Sequence, residues 1–562
     1  MKRFFLLMLT VLLCAGLFAG GQQGSTSTDG LTTVRVWGHN KQYHLTGASF
    51  TLSDWDSRAI PSRLWDKFVQ EMANIGVRLD LTLIMEDQMT TAWQTLVASG
   101  QIHNYDWVSP INFNDTRARY NLVTQGMLLP MDTAIEQHSN GTARNYFNNT
   151  PVGQRIKRLS TLDDGHMYWL SQTDAFYYGN PNNIAGEPLG AAIRMDWLWQ
   201  LNIPKPTTLD ELFNTLRTFQ DRDVNGNGLR DEVAMINVAT GQWPQAFSGF
   251  FGIGDGNMAY IVGDRVLSQW YHPRARDFIT YLQRLYAADL LKITVEGNEQ
   301  AANRVGFFGS YWQDTYNDQQ VIVPPGRPNA YTAPVVIQAF ADTPVIIAEQ
   351  PGVNQYLGSG MYSIPARSRN VEAVVRMIDF FHTPEHTTLG EWGIEGYTFR
   401  INPDGTWERF QVNESNVGVD MFMTAMAEAL PFACWQAPFP RMRRGDKHDI
   451  LQSLIDAGRA RGYPQGFDIK NDYLREFYEN RRWPSYISEG NINGSTAFPT
   501  PDEAERQSRL LPDLQTYSAE LMTALIMGER SLNNWDSYMA DFRRLGLDEL
   551  LSIYQARLNR MR

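Results

Sequence analysis

Strand-like and helix-like segments alternate near the amino terminus, and this alternation constrains the fold more than any other feature. The β-branched runs "LTTVRVWG" (residues 31–38) and "VRLDLTLIM" (77–85) predict two strands. Between them, "SRLWDKFVQEMANI" (62–75) spaces apolar residues four apart, which predicts an amphipathic helix. A second helix pattern (87–100) ends at a glycine and leads to a third short strand in "YDWVSP" (105–110). We therefore expect βαβ units, an α/β fold and a parallel sheet.

Later parts of the chain add strong helix signals. In "PTTLDELFNTLRTFQD" (206–221), Thr208 and Glu211 have the spacing of a capping box. Residues 511–529 and 535–560 are amphipathic, so we expect a helix-rich carboxyl terminus. A length of 562 residues predicts two or more domains. The net charge of −12 argues against a nucleic-acid partner, because binding phosphates requires clustered Lys and Arg.

The amino terminus has the order of a secretory signal: Lys2 and Arg3, an apolar run, then small residues. We predict a signal peptide over residues 1–21 and a flexible leader over 22–30, and hence export across an inner membrane into a periplasm. Cys14 leaves a membrane-anchored lipoprotein as the alternative. The remaining Cys434 cannot form an internal disulfide by itself, and no Cys/His cluster indicates zinc.

The stretch "DRDVNGNGLRDEV" (221–233) has the oxygen spacing of a calcium loop. Counted from Asp223, oxygen donors fall at the first, third, fifth, seventh and ninth places, and Gly228 occupies the sixth, where the turn is sharp. The twelfth place is Ala234 instead of the glutamate of an EF-hand, and Glu232 at the tenth place is a substitute. The predicted ligands of a structural calcium ion are Asp223, Asn225, Asn227, the Leu229 carbonyl, Asp231 and Glu232. The alternative is a polar turn without metal, since Asn, Gly and Asp favour turns in any case.

The loop and its surroundings resemble extracellular solute-binding proteins (family 1) of ABC importers, in the branch that includes periplasmic alginate- and oligosaccharide-binding proteins. The resemblance rests on an Arg-x-Asp-Trp segment, a Pro-Thr-Thr-x-x-Glu helix and the calcium loop, all within residues 191–233. Further matching segments follow in order and extend the resemblance over residues 31–562. They are "LVASGQIHNYDWV", "LPMDTAIEQ", "DDGHMYWLSQT", "YHPRARDFITYLQRLYAADLL", residues 358–399 and residues 527–560.

The resemblance implies a two-lobed periplasmic-binding-protein fold, type II-like, with the ligand in the cleft between the lobes. It also implies an oligosaccharide or sugar-derivative ligand, ABC permease membrane subunits as partners, and a monomeric protein. On this basis we predict lobe 1 from residues 31–170 and 355–400, and lobe 2 from 171–354 and 401–562. The predicted calcium loop (223–232) and the carboxyl-terminal helices then belong to lobe 2.

Aromatic and polar residues in predicted loops are the candidates for ligand contact, because sugar C–H faces pack on aromatic rings while hydroxyls need polar partners. Glu395 lies between Gly393 and Gly396 in "WGIEGYTF", a loop that something approaches closely. The alternative for Glu395 is a buried carboxylate that caps a turn, and for the aromatic residues it is ordinary packing. The full set of candidates is Glu395, Tyr397, Tyr311, Trp312, Trp243, Tyr177, Tyr178, Trp435, Trp37 and His39.

Four neighbouring residues receive structural roles instead. Arg194 and Asp196 are expected to form an ion pair, and Trp197 and Trp199 to lie in the core. The rival function is a secreted glycoside hydrolase or polysaccharide lyase, which requires two carboxylates across a sugar. The sequence has no Gly-x-Ser-x-Gly, His-Glu-x-x-His or Walker-type motif, and we therefore expect a binding protein and not an enzyme.

Overall fold

The structure of the protein is a computed structural model. The residues it describes are 30–40, 43–45, 48–50, 62–108, 116–171, 173–175, 187–236, 247–256, 258–292, 304–311, 332–350, 353–355, 361–391, 393–403, 407–409, 413–414, 417–418, 482–488, 492 and 496–561.

The α-helices of the described residues are α1 (Arg63–Asn74), α2 (Met89–Ala98), α3 (Thr116–Thr124), α4 (Met131–His138), α5 (Thr142–Asn149), α6 (Pro151–Ser160), α7 (Met195–Leu201), α8 (Leu209–Gln220), α9 (Ala275–Ala287), α10 (Val371–Phe381), α11 (Pro384–Glu391), α12 (Pro501–Ile526), α13 (Trp535–Arg544) and α14 (Leu547–Arg560).

The strands of the described residues are β1 (Thr32–Asn40), β2 (Tyr43–Leu45), β3 (Ala48–Phe50), β4 (Val77–Met85), β5 (Trp107–Val108), β6 (Leu170–Ser171), β7 (Thr173–Ala175), β8 (Glu187–Arg194), β9 (Val233–Ile236), β10 (Tyr260–Val262), β11 (Arg265–Leu267), β12 (Leu291–Lys292), β13 (Val305–Tyr311), β14 (Thr332–Val335), β15 (Ile347–Gln350), β16 (Val353–Gln355), β17 (Met361–Tyr362), β18 (Phe399–Ile401), β19 (Trp407–Arg409), β20 (Asn413–Glu414), β21 (Val417–Gly418) and β22 (Ser485–Ser488).

A three-stranded parallel sheet in the order β4-β1-β5 organises lobe 1. Helix α1 packs on this sheet through one apolar face, and its amino end is capped by Ser62, whose hydroxyl accepts a hydrogen bond from the Trp65 amide at 3.1 Å. Helices α4, α5, α6 and α10 contribute to the same core. The three strands and two helices predicted from the first part of the sequence are therefore confirmed.

A nine-stranded mixed sheet organises lobe 2 in the order β11-β10-β22-β15-β8-β13-β9-β12, with β14 paired to β8. Strands β9, β12 and β13 are parallel to one another, whereas β8 is antiparallel to both β13 and β15. The core of this lobe combines helices α7, α8 and α9 with the carboxyl-terminal helices α12, α13 and α14. The predicted helix-rich carboxyl terminus thus completes the second lobe.

Two antiparallel strand pairs connect the lobes. Strand β6 pairs with β17 beside the lobe 1 core, and β7 pairs with β16 on the way to lobe 2. An isolated bridge between Val108, at the end of β5, and Ser363 attaches this connection to the lobe 1 sheet. The two connecting strand pairs therefore leave lobe 1 at the edge of its sheet where the strands have their carboxyl ends.

A third connection lies at residues 497–499. Ala497 is fastened to α14 of lobe 2, because its amide donates to the Arg557 carbonyl at 3.2 Å and its carbonyl accepts from Arg557 Nε at 3.0 Å. Phe498 instead packs in lobe 1 with Tyr120 and Trp169, and the Tyr120 hydroxyl donates to the Pro499 carbonyl at 2.5 Å. The Phe498 carbonyl also accepts from Arg560 Nη2 of α14 at 3.3 Å, so this segment is held by both lobes, although the predicted lobe 2 range includes it all. The predicted lobe boundaries stay a prediction.

The predicted capping box of α8 forms in an altered way. The Thr208 hydroxyl accepts from the Glu211 amide at 3.1 Å as expected, but the Glu211 carboxylate accepts from the amide and hydroxyl of Thr207, each at 2.8 Å. These bonds from Thr207 lower the pKa of Glu211.

Among the described helices, none combines the length and the apolar composition that crossing a membrane requires.

We expect Arg557→Met to destabilise the protein by about 2–4 kcal/mol, because the carbonyl of Ala497 and the side chain of Gln507 lose a charged donor in a buried position. Arg557 is 1% exposed, and burial lowers its pKa to about 10, so its guanidinium remains charged at neutral pH. Urea unfolding measures the change. The control is Arg509→Met on the exposed face of α12, which should cost at most about 0.5 kcal/mol. Equal effects of the two substitutions would contradict the anchoring role.

Candidate functional site

Several strands of lobe 2 end or begin at one edge of its sheet. Because β9 and β13 are parallel, their carboxyl ends at Ile236 and Tyr311 lie at the same edge. Strand β8 begins there at Glu187, since it is antiparallel to β13, and β15 ends there at Gln350 beside Glu187. The crossing strands β7 and β16 adjoin these ends in the sequence, so this edge of lobe 2 faces lobe 1.

The corresponding edge of lobe 1 is formed by the carboxyl ends of β1, β4 and β5. Asn40 and Met85 pair in register at the ends of β1 and β4, and Asn40 Nδ2 lies 3.3 Å from Met85 Sδ. Ligands of open α/β sheets bind beyond the carboxyl ends of their strands. The carboxyl ends of β1, β4 and β5 and those of β9 and β13 therefore lie toward the same junction.

The loop of Glu395 and Tyr397 rests on the first turn of α1, the helix that follows β1. Its turn is closed by main-chain hydrogen bonds from Gly396 to Phe399 and from Thr398 to Ile394. Tyr397 is half-buried and Glu395 is exposed, which rules out the buried-carboxylate alternative for Glu395. The loop therefore offers a carboxylate and an aromatic ring to solvent.

Arg63 was not predicted as a site residue, yet its guanidinium carbon lies 4.6 Å from the centre of the Tyr397 ring. A cation above an aromatic face is attracted by the ring quadrupole, so Arg63 supports one face of Tyr397. The signal in the sequence is its place at the start of the helix that follows the first strand. Only the three-dimensional structure brings this position next to a residue more than 300 positions later in the chain.

Trp37 lies in the middle of β1 with 2% of its surface exposed and packs against Trp93, with ring centres 5.5 Å apart. Its evident role is packing, and its proposed contact with ligand stays a prediction. His39 is placed in β1 and Tyr311 at the end of β13 by their main chains. The candidates outside the described residues are Tyr177, Tyr178, Trp243, Trp312 and Trp435.

The four residues expected to have structural roles make the contacts of such roles. Arg194 and Asp196 form the predicted ion pair, with a nitrogen–oxygen distance of 2.5 Å. Trp197 is 1% exposed in the lobe 2 core, and Trp199 is partly buried against that core. These residues are structural, as expected.

The predicted calcium loop has its polar groups turned inward. The Asp223 carboxylate accepts from the amides of Asn227 at 3.0 Å and Gly228 at 2.9 Å, and the Asn225 side-chain oxygen also accepts from the Asn227 amide. Gly228 has φ +83°, a conformation that glycine adopts without strain. Leu229 is 60% exposed, so its side chain points away from the loop.

Glu232 completes the donor set. One carboxylate oxygen accepts from the amides of Val224 at 2.6 Å and Asn225 at 3.0 Å, whereas the buried Oε2 has no hydrogen-bond partner among the described residues. A buried carboxylate oxygen of this kind requires a cation or donor. No group of three or more His, Cys, Asp or Glu side chains in the described residues is arranged to hold a metal by itself. The donor set of this loop is mixed, with amide and carbonyl oxygens beside the carboxylates, which is the chemistry calcium prefers.

No family model matches the chain. A curated relative is the fructooligosaccharide ABC transporter substrate-binding protein FusA of Streptococcus pneumoniae serotype 4, which is 23% identical over 450 residues, or 77% of this chain and 76% of FusA. A solved structure of FusA, an EF-hand mutant in complex with fructo-nystose, has a TM-score of 0.63 at 17% identity and covers 94% of this chain and 99% of that chain.

Two further solved structures match this chain, and in both cases the match covers 96% of this chain and 100% of the other. The extracellular solute-binding protein from Bifidobacterium longum subsp. infantis has a TM-score of 0.64 at 15% identity. The alginate-binding protein AlgQ2, solved without calcium ion, has a TM-score of 0.60 at 17% identity. The chain thus has the two-lobed fold of extracellular solute-binding proteins of ABC transporters, and the resemblance predicted from the sequence is confirmed.

We expect Gly393→Ala to destabilise the loop of Glu395 and Tyr397 by about 2–4 kcal/mol. The alanine would be strained at a positive φ, and its added methyl group would clash with neighbouring side chains. Gly393 has φ +87°, and a Cβ atom there would lie 2.3 Å from Thr398 Oγ1 and 3.1 Å from Leu64 Cδ2. Gly396→Ala is the matched control: it has φ +77°, but no atom lies within 4 Å of its added Cβ. Hydrogen exchange of the loop amides measures both variants, and equal opening of the loop would contradict the steric argument.

Proposed function

We propose that the protein is the extracytoplasmic solute-binding component of an ABC importer. In this proposal it holds an oligosaccharide or sugar derivative in the cleft between its lobes and delivers it to a membrane permease. The observation that supports this most strongly is that both sheets direct their ligand-binding edges at the same junction. The names of the relatives, which include fructooligosaccharide- and alginate-binding proteins, support a carbohydrate as the ligand class.

The side chains proposed to contact the sugar come from both lobes. Tyr397 and Glu395 offer a ring and a carboxylate on lobe 1, next to Arg63. On lobe 2, β9 and β13 end at the cleft edge with Ile236 and Tyr311, and Trp243 and Trp312 follow these strand ends in the sequence. Aromatic faces suit sugar C–H groups, and charged groups bind hydroxyls. Tyr177, Tyr178, Tyr311, Trp435, Trp37 and His39 remain further candidates.

Closure is the proposed means of signalling to the permease. A ligand shifts the balance between an open and a closed form only through its tighter contact with one of them. A sugar that bridges the two edges makes its full set of contacts only when the lobes approach each other. The permease then recognises the closed monomer. We further propose that the protein is periplasmic, with attachment through Cys14 as the alternative.

Substitution of the proposed lobe 1 contacts tests the binding site. We expect Glu395→Gln or Tyr397→Ala to weaken oligosaccharide binding about tenfold or more, since a hydrogen bond to a charged group contributes about 1.5–3 kcal/mol. Tryptophan-fluorescence titration with acidic and neutral oligosaccharides gives the affinities. Glu385→Gln, an exposed glutamate of α11 with the same change of charge, should bind as the natural protein does. If both glutamine variants have the same affinity, Glu395 is not a contact.

Recovery of the ligand separates binding from catalysis. After prolonged incubation, mass spectrometry should return the oligosaccharide unchanged. Shortened or unsaturated products that disappear in the carboxylate variants would instead favour the hydrolase or lyase. A saturable fluorescence change with intact ligand supports the importer component.

We also propose that residues 223–232 bind a structural calcium ion. Asp223, Asn225, Asn227, the Leu229 carbonyl, Asp231 and Glu232 would hold it, and Glu232 Oε2 is the buried oxygen that needs such a partner. Calcium supplies positive charge to the inward-facing oxygens and fixes the loop between α8 and β9. The EF-hand mutant of FusA and the AlgQ2 structure solved without calcium ion support this proposal, because both indicate that similar proteins have a calcium site.

Calcium should raise the melting temperature, because a ligand present at about 100 times its Kd stabilises the folded state by about 2.7 kcal/mol. Differential scanning fluorimetry in calcium and in chelator measures the shift. Asp223→Asn and Glu232→Gln should reduce it strongly, whereas Asp221→Asn, just outside the loop and 67% exposed, should leave it unchanged. The same melting temperature in calcium and in strong chelator would refute the site.

A further inference from the structure

Arg304 approaches the calcium loop from outside, although the loop and Arg304 are far apart in the sequence. Its Nη1 lies 3.7 Å from Asp231 Oδ2, and the two side chains are 29% and 27% exposed. Arg304 Nε is buried and has no hydrogen-bond partner among the described residues. The side chain therefore has most of its surface packed, with its charged end directed at the loop.

The two oxygens of Asp231 face different groups. Oδ1 accepts from the side-chain amide of Asn227 at 3.0 Å and lies 3.4 Å from that of Asn225, so it faces the loop interior. Oδ2 faces Arg304 instead. The positive charge of the guanidinium attracts Oδ2 to the outer side of the loop. This orientation leaves Oδ1 facing the loop interior.

The main chain of Arg304 makes a second connection. Its carbonyl accepts a hydrogen bond from the Val233 amide at 2.7 Å, directly after Glu232, and Val305 then pairs with Val233 as β13 joins β9. One residue thus contacts both the exit of the loop and its ninth-place carboxylate.

We propose that Arg304 is a positioning residue for calcium in this loop, acting through Asp231 and not by contact with the ion. The proposal rests on the proposed calcium site. Groups that orient metal ligands in this way typically change metal affinity about 10- to 100-fold when they are removed.

Removing Arg304 has two opposing effects on calcium affinity. Loss of a positive charge strengthens calcium binding through long-range attraction, whereas loss of the contact releases Asp231 and weakens it. Arg230 provides the matched control, because it is an exposed arginine of the same loop, so Arg230→Gln changes the charge alone. Arg304→Lys restores the charge without the planar fork.

Calorimetric titration with calcium chloride on the full chain tests the proposal. We expect Arg230→Gln to bind calcium as tightly as the natural protein or more tightly, and Arg304→Gln to bind it about tenfold more weakly. Arg304→Lys should fall between them, and it carries the comparison with Arg230→Gln if Arg304→Gln does not fold.

A second measurement separates positioning from a general structural role. In chelator, Arg304→Gln should melt close to the natural protein, and only its calcium-induced shift in melting temperature should shrink. Two results would overturn the proposed role of Arg304 and leave the calcium site in place. One is equal calcium affinity of Arg304→Gln and Arg230→Gln; the other is a lower melting temperature of Arg304→Gln in chelator with the calcium-induced shift retained. A natural protein that does not respond to calcium would overturn the calcium site as well.

Discussion

Ala497 and its neighbours Phe498 and Pro499 form a junction that residues of both lobes hold, and this junction attaches the carboxyl-terminal helices of lobe 2 to lobe 1. Arg557, fully buried in lobe 2, binds both main-chain polar groups of Ala497. Tyr120 in lobe 1 holds the Pro499 carbonyl; burial and the Asp163 carboxylate raise its pKa, so the phenol stays protonated and donates. Arg560 of lobe 2 also donates to the Phe498 carbonyl at 3.3 Å, and α12 packs on α3 beside this segment, so the two lobes are in direct contact here.

The local parts of this architecture could be predicted from the sequence. Strand β4 and helices α1 and α8 follow from apolar periodicity and caps, which depend on residues close together in the chain. The junction could not be predicted, because Tyr120 and Pro499 are 379 positions apart. The antiparallel pairing of β8 with β13 was equally out of reach, since a short apolar strand gives no sign of its partner.

The candidate site also has parts that the sequence could predict and parts that it could not. The glycines around Glu395 identified a tight loop, and the structure places this loop on the first turn of α1. The sequence could not distinguish Trp37, which is buried against Trp93, from an aromatic residue that faces a cleft. A strand exposes alternate residues to opposite faces, so the chemistry of a single tryptophan does not fix its surroundings. The contact of Arg63 with Tyr397 could not be predicted, because only tertiary packing brings the two residues together.

The place of the proposed calcium loop in the sheet indicates how it could act. The loop and Arg304 lie at the amino ends of β9 and β13, whereas the cleft lies at their carboxyl ends. The four residues of β9 span roughly 13 Å and the seven of β13 roughly 23 Å at about 3.3 Å per residue, too far for an ion in the loop to touch a ligand beyond these strand ends. Strands β9 and β13 connect the loop with the cleft edge, and the bond between Val233 and Arg304 begins their register. A slip of one residue would reverse every side chain of a strand. The proposed calcium site would therefore act on the cleft by holding the register of these strands from their far end.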